Sequence, residues 1–228
     1  MVSEMIGVAG MDFVIYDQEH GPLTAETTLK LTASAQNKDL APIVRVRENR
    51  EAEIQRALDL GAACRFHRSR RDQTPKRQSK RPVLTHSEVG DSRSTFVPVS
   101  IPEARATQEQ NEERLLVIQV EGKRGVENID EILEVEGIDV VFLGPYDLSQ
   151  SLGIPGEVTH ERVEKLMQRV CESGVETDTI VGAFADNAEI ANKWINAGVQ
   201  YLTVGVEAAH FTKYLENLVE DIDIPSTG

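Results

Sequence analysis

Short apolar runs, rich in β-branched residues, recur along the chain and alternate with longer stretches in which apolar residues return every three or four positions. The short runs predict six strands, at 12–16, 42–46, 115–120, 138–143, 179–184 and 201–205. The longer stretches predict helices at 25–35, 51–60, 102–110, 126–135, 159–172, 187–197 and 207–219, after a helix tail at 4–9. Thr159 is the expected N-cap of the helix that it begins.

This alternation predicts an α/β fold with a parallel sheet, because continuously apolar strands are typical of strands covered by helices on both faces. We expect one domain over residues 1–228, folded as a (β/α)8 TIM barrel that is incomplete, with six clear strands. A doubly wound open sheet is the alternative. The barrel is favoured because no Gly-rich phosphate-binding loop follows a strand.

Residues 64–94 interrupt the pattern. This segment is basic and polar in a chain of net charge −14, and strongly apolar residues are absent between Phe66 and Val83. Charged side chains cannot face a packed barrel interior, so we expect no buried strand here. The barrel would then lack one strand in this segment and another before Glu4. Loss and recovery of the pattern would fit a shifted reading frame, which the DNA sequence would test.

Charge and composition narrow the class of protein. The net charge of −14 argues against binding to nucleic acid or to anionic membranes. Residues 65–81 could form a basic nucleic-acid-binding arm, but Phe66 is their only aromatic side chain of the stacking type. We see no signal peptide and no apolar run long enough to span a membrane, and Cys64 and Cys171 do not suggest a disulfide framework. These features predict a cytoplasmic protein.

Polar side chains cluster where the predicted strands end. In a parallel barrel these carboxyl ends form the active-site face. The residues concerned are Asp17, Glu19, His20, Arg45, Gln119, Glu121, Asp147, Asp186, Asn187 and Glu207.

Two carboxylates, Glu121 and Asp147, follow neighbouring strands and could share a divalent cation. Oxygen ligands with open positions suit Mg2+ or Mn2+. Taken singly, each carboxylate is more typical of a helix start or a solvated loop, and Asp147 could simply cap the turn before Leu148. The metal site therefore depends on the barrel.

Arg45 lies inside a strand, so it must pair with a carboxylate or meet a ligand oxygen. The structural alternative is an ion pair with Asp17 or Glu19. His20 could be a general base oriented by Asp17, or simply a surface residue of a turn. The remaining histidines are assigned to the surface: His67, His86, His160 and His210.

Four sequence stretches carry a family resemblance. They read "DFVIYDQEHGPL", "PIVRV", "LLVIQVEGKRGVENIDEILEVEGIDVVFLGPYDLSQSLG" and "INAGVQYLTVGVE". Together they resemble the HpcH/HpaI aldolase family, over about residues 5–62 and 96–215. Members include 4-hydroxy-2-oxoheptanedioate aldolase and 2-dehydro-3-deoxyglucarate aldolase. The resemblance implies a TIM barrel of the phosphoenolpyruvate/pyruvate type and metal-dependent (class II) cleavage of a 4-hydroxy-2-oxo acid to pyruvate and an aldehyde.

The resemblance also implies a role for each matching residue. Glu121 and Asp147 match the ligands of a divalent metal, Mg2+ or Mn2+, with Co2+ as a further candidate. Arg45 matches the arginine that holds the keto oxygen, and His20, steadied by Asp17, matches the histidine that handles the hydroxyl proton. Gln119 matches a residue that lines the site, and the backbone amides around Tyr146 and Asp147 match those that receive the pyruvate carboxylate. The family forms homo-oligomers with exchanged C-terminal helices.

Two departures from the family pattern leave alternatives open. The chain begins later than the family pattern does, and residues 64–94 replace an apolar strand and helix. A degenerate relative without turnover, or one with impaired activity, is therefore an alternative. A citrate lyase β-like enzyme acting on a CoA thioester is another, but only the segment 64–94 offers basic residues for CoA phosphates.

The predicted strands contain no lysine near their ends, which favours a metal-dependent mechanism over one that proceeds through a lysine imine.

Overall fold

The computed structural model describes residues 2–62, 84–85, 115–120, 122–135 and 138–222. Its strands are β1 Phe13–Asp17, β2 Ala41–Arg45, β3 Leu84–Thr85, β4 Leu116–Val120, β5 Val140–Leu143, β6 Ile180–Ala185 and β7 Tyr201–Val204. Its helices are α1 Val2–Val8, α2 Ala25–Gln36, α3 Glu51–Asp59, α4 Lys123–Glu127, α5 Ile129–Leu133, α6 Pro145–Ser151, α7 Glu161–Val175, α8 Ala188–Asn196 and α9 Glu207–Asp221.

The strands form one parallel sheet in the order β1 to β7, so each strand pairs with the next along the chain. The predicted α/β class with a parallel sheet is confirmed, and the six predicted strands lie within about two residues of observed ones. This agreement has a simple cause, since a strand buried on both faces has to be apolar at nearly every position.

The segment 64–94, in which the sequence predicts no buried strand, contains one short strand, so the sheet has seven described strands where six were predicted. Strand β3 consists of Leu84 and Thr85 and bridges β2 to β4, with Arg45 opposite Thr85 and Leu84 opposite Leu116. Pairing requires only backbone N–H and C=O groups, and these two residues follow the basic run, where apolar character returns. The rest of the segment, and the predicted helix at 102–110, lie outside the described residues.

Alternate side chains of the strands form an interior cluster. It comprises Ala41, Ile43, Val117, Val140 and Tyr201, with Phe13, Ile15, Leu115, Phe142 and Ile180 packed against it. These residues come from both ends of the strand order as well as its middle. The Phe13 ring of β1 stacks on the Tyr201 ring of β7 with centroids 4.5 Å apart, so the sheet curls around this cluster as a barrel does.

The opposite faces of the strands pack against the helices. Helices α1 to α3 cover β1 and β2 around Leu40, Val44 and Ile54, whereas α4 to α8 cover β4 to β7 around Met167 and Trp194. Among the described helices, none combines the length and the apolar character needed to cross a membrane.

Two helix predictions need correction. The predicted helix at 126–135 is two short helices, α4 and α5, which meet at Asn128. The N-cap of α7 is His160 rather than Thr159, because the His160 Nδ1 atom accepts the backbone N–H of Arg162 at 3.1 Å. His160, which the sequence predicts to be a surface residue, thus also satisfies a helix N–H group that would otherwise lack an acceptor.

Candidate active site

Asp17 and Arg45 are the last residues of β1 and β2 and lie opposite each other in the sheet. They continue the alternation of Phe13, Ile15 and Ile43, whose side chains belong to the interior cluster. The Arg45 Nε atom donates to Asp17 Oδ1 at 2.9 Å, and Nη2 donates to Asp17 Oδ2. Planar guanidinium and carboxylate groups paired in this way fix each other's orientation.

Glu19 is a second carboxylate on the same arginine. Its Oε2 atom lies 3.3 Å from Arg45 Nη1. The structural alternative for Arg45 is therefore present, and it involves both Asp17 and Glu19. The role of Arg45 toward a keto oxygen stays a prediction.

A tight turn after β1 brings the backbone of residues 19–21 back toward Asp17. Asp17 Oδ1 accepts the backbone N–H groups of Glu19 at 2.9 Å and of His20 at 3.2 Å. At Gly21, a Cβ atom would lie 2.2 Å from the carbonyl oxygen of Asp17, which leaves room for glycine alone. The turn thus folds back onto the carboxylate that holds Arg45.

The environment of Asp17 favours its charged form. Burial on its own would raise the pKa of this carboxyl, but the hydrogen bonds and the positive charge of Arg45, with the N–H groups of His20 and Glu19, outweigh it. The net result is a pKa of Asp17 below its ordinary value. Asp17 is therefore an anion at neutral pH and forms an ion pair with Arg45.

The His20 ring does not have the partner expected from the sequence. Its Nε2 atom lies 3.8 Å from Glu19 Oε2, and its side chain is 72% exposed. Asp17 contacts the backbone of His20 instead, because its two oxygen atoms already bind Arg45. The carboxylate nearest to the ring is thus Glu19, while the catalytic role of His20 stays a prediction.

Strand β4 brings Gln119 to the same face. Gln119 is buried, lies opposite Phe142, and shares the strand face of Val117 in the interior cluster. Val120 lies opposite Leu143, so β4 and β5 end side by side. Glu121 follows Val120 in the sequence but lies outside the described residues, and its predicted role as a metal ligand remains untested.

Asp147 lies in the first turn of α6, directly beyond β5. The residue is exposed, and within the described part of the chain its carboxylate accepts no hydrogen bond and forms no ion pair. The N-cap residue of α6 is Gly144, which offers no capping side chain, so the suggestion that Asp147 caps this turn is wrong.

Tyr146 connects α6 to the end of β6. Its hydroxyl donates to Asp186 Oδ1 at 2.8 Å, and its ring meets the Phe184 ring edge-on with centroids 5.9 Å apart. The hydrogen bond to Asp186, burial and the negative charge of Asp186 all raise the pKa of Tyr146. The sequence marked Asp186 as a strand-end acid but gave no sign of this contact, because its partner is 40 residues away.

The two predicted metal ligands, Glu121 and Asp147, are both oxygen donors. Among the described residues, no three His, Cys, Asp or Glu side chains lie close enough to hold a metal ion. Asp147, however, has a carboxylate without a bonding partner among the described residues. Glu121, the second predicted ligand, lies outside those residues. Two oxygen donors with positions left for water or substrate match the chemistry of Mg2+ and Mn2+.

Solved structures share this fold. The crystal structure of an HpcH/HpaI aldolase from Desulfitobacterium hafniense DCB-2 matches with a TM-score of 0.76 and 27% identity, covering 100% of this chain and 90% of that chain. The citrate synthase SbnG matches with a TM-score of 0.76 and 28% identity, covering 96% and 86%. A Mycobacterium tuberculosis citrate lyase β subunit, complexed with oxaloacetate and magnesium, shares the fold alone, with a TM-score of 0.54 and 15% identity over 87% and 83%.

Sequence comparison agrees. The 2-keto-3-deoxy-L-rhamnonate aldolase of Salmonella paratyphi A (strain ATCC 9150 / SARB42) is 30% identical over 225 residues, which cover 95% of this chain and 82% of that protein. Residues 1–213 match the family described as HpcH/HpaI aldolase/citrate lyase. The chain therefore belongs to the HpcH/HpaI aldolase/citrate lyase family.

Proposed function

We propose that this chain is a metal-dependent aldolase that cleaves a 4-hydroxy-2-oxo acid of the 2-keto-3-deoxy sugar acid type to pyruvate and an aldehyde. The observation that carries the proposal is the meeting of Arg45, its two carboxylates and His20 at the strand ends. Asp147 follows β5 at the corresponding end of the same parallel sheet. The Salmonella relative is an aldolase for a substrate of this class.

The cleavage needs a group that accepts negative charge at the 2-oxo oxygen. When the bond between C3 and C4 breaks, its electron pair moves into the 2-oxo acid and leaves a pyruvate enolate. Arg45 supplies a fixed positive charge at this oxygen, because Asp17 and Glu19 hold its guanidinium in place before the substrate arrives. The preorganised arginine requires no reorientation as the charge develops.

A base must also remove the proton of the 4-hydroxyl group. The exposed His20 ring is assigned this task, since neutral imidazole is a suitable base near neutral pH. Glu19 lies 3.8 Å from the ring, close enough to stabilise the imidazolium that forms. The C4 fragment leaves as the aldehyde, and the enolate takes up a proton at C3 to give pyruvate.

Glu121 and Asp147 would hold the divalent ion, Mg2+, Mn2+ or Co2+. When bound, the ion supplies Lewis-acid polarisation of the 2-oxo group. Gln119 would line the pocket beside the substrate, and the backbone amides around Tyr146 and Asp147 would receive its carboxylate. The interior position of Gln119 supports the first assignment, and the N-cap residue Gly144, which has no side chain to cap α6, supports the second.

The test measures pyruvate release from 2-keto-3-deoxy-L-rhamnonate and related 4-hydroxy-2-oxo acids. We expect turnover that EDTA abolishes and that Mg2+, Mn2+ or Co2+ restores. The variants Glu121→Ala and Asp147→Ala should each lose roughly 10²-fold in kcat/KM, the upper end of the loss seen when partners that only support a metal ligand are removed, because here the ligand itself is removed. Pyruvate release that is unaffected by EDTA and by both substitutions would exclude the metal mechanism.

A second candidate function is supported by the family description, which includes citrate lyase, and by the 28% identity to a citrate synthase. The same purified chain should therefore be assayed for cleavage of acyl-CoA thioesters. Thioester cleavage without pyruvate release would favour the citrate lyase β-like alternative. A folded chain that is inactive in both assays would instead identify a relative without turnover.

A further inference from the structure

We propose that Asp186 is a positioning residue, which acts through Tyr146 to hold the first turn of α6, and with it Asp147, in place for metal binding. The inference rests on the proposed function, because it takes Asp147 as a metal ligand. Its physical basis is the hydrogen bond of 2.8 Å between the Tyr146 hydroxyl and Asp186 Oδ1.

Helix α6 has only seven residues, so its own hydrogen bonds cannot fix its position. Tertiary contacts on its buried side provide one part of the support. Pro145, Leu148 and Ser149 are buried, and Ser149 Oγ donates to the Tyr146 carbonyl oxygen at 2.6 Å. The same oxygen atom of Ser149 accepts the backbone N–H of Gly156 at 3.0 Å.

The exposed side of the first turn carries Tyr146 and Asp147. In the described ranges, the contact between Tyr146 and Asp186 is the hydrogen bond that ties a side chain on this side to another element. Without it, Leu148 and Ser149 would still anchor α6 from below, but the turn could tilt about that anchor. Because Asp147 is the next residue, a tilt would move its carboxylate.

The hydrogen bond between Tyr146 and Asp186, called the tether below, joins the ends of two neighbouring strands. Strand β5 runs beside β6, with Leu143 opposite Ala183, and Asp186 comes directly after β6. The Phe184 ring contacts the Tyr146 ring edge-on, which restricts rotation of the phenol around its side-chain bonds. Asp186 is thus held by the sheet, and Tyr146 transmits that position to α6.

Asp186 could also act on a cation simply through its negative charge, and two substitutions separate these effects. Tyr146→Phe removes the hydroxyl donor but keeps the charge of Asp186. Asp186→Asn removes the charge but keeps an oxygen atom that can accept the hydroxyl. A tether and a long-range charge effect therefore predict opposite orders of severity for the two variants.

The experiment is calorimetric titration of the full chain with Mn2+ at neutral pH. We expect Tyr146→Phe and Asp186→Ala to raise the Mn2+ dissociation constant roughly tenfold, as removal of outer support for metal ligands typically does. Asp186→Asn should change it less than about threefold, and Tyr146→Phe with Asp186→Ala should be no worse than either alone, since both break one contact. The control Gln168→Ala removes an exposed hydrogen bond to Glu172 within α7 and should leave Mn2+ binding unchanged.

The outcomes distinguish this inference from the proposed function. Wild-type Mn2+ affinity in Tyr146→Phe, or a larger loss in Asp186→Asn than in Tyr146→Phe, overturns the positioning role. If Asp147→Ala abolishes binding in the same series, the proposed metal site still stands. Wild-type binding by Asp147→Ala would overturn both. Circular dichroism of each variant verifies that an altered affinity does not reflect unfolding.

Discussion

At the scale of single residues, the contacts among Asp17, Glu19, His20 and Arg45 differ in one respect from those expected from the sequence. Asp17 was expected to serve His20, but the structure gives its carboxylate to Arg45 and brings Glu19 nearest to the His20 ring. Arg45 binds the Asp17 carboxylate more strongly than the His20 ring would, because arginine is always charged and offers two donors to the two carboxylate oxygens. The cluster is therefore organised around the cation, with the imidazole at its edge.

The Asp17 carboxylate should make stability depend on acid. Because its folded-state pKa lies below the ordinary value, its contribution is present above that ordinary value, near pH 4, and disappears as pH falls through the folded-state pKa. We expect the free energy of unfolding to fall more steeply below about pH 4 in the wild-type chain than in Asp17→Asn. Urea denaturation across this range measures the difference, and parallel pH profiles for the two chains would contradict the assignment.

At the scale of elements, what could be predicted from the sequence follows from how local each signal is. Strands such as β4 and β5 are recognisable because burial on both faces makes nearly every position apolar. Strand β3 was missed since two residues cannot show a pattern. The contact between Tyr146 and Asp186 was missed because it depends on how β5 and β6 align, and that alignment is not written in either segment.

The beginning of α7 offers a direct test at this scale. His160→Ala should lower the free energy of unfolding by about 0.5–1 kcal/mol, because it removes the acceptor of the Arg162 N–H. Thr159→Ala is the matched control, since the Thr159 side chain makes no corresponding bond to the helix in the described structure. Chemical denaturation measures both variants. A greater loss in Thr159→Ala would restore the capping residue expected from the sequence.

At the scale of the whole molecule, helix α9 lies exposed on the outside of the described structure. None of its residues is buried. Its large apolar side chains are therefore exposed, with Phe211 and Tyr214 each 65% exposed. Further exposed apolar residues follow at helical spacing, namely Leu215, Leu218 and Val219. Exposed apolar stripes of this kind mark interaction surfaces. The homo-oligomer implied by the family resemblance would cover this stripe with a second copy of the chain.

The prediction is that the purified chain is an oligomer and that the stripe on α9 holds it together. Phe211→Glu combined with Leu215→Glu places two charges in the middle of the stripe, and desolvating them would oppose association. We expect light scattering after size exclusion to show a smaller species for this variant. Asn217→Glu adds one charge on the opposite side of α9 and should leave the mass unchanged. A wild-type chain that elutes as a monomer, or a double variant that keeps the wild-type mass, would show that α9 does not mediate assembly.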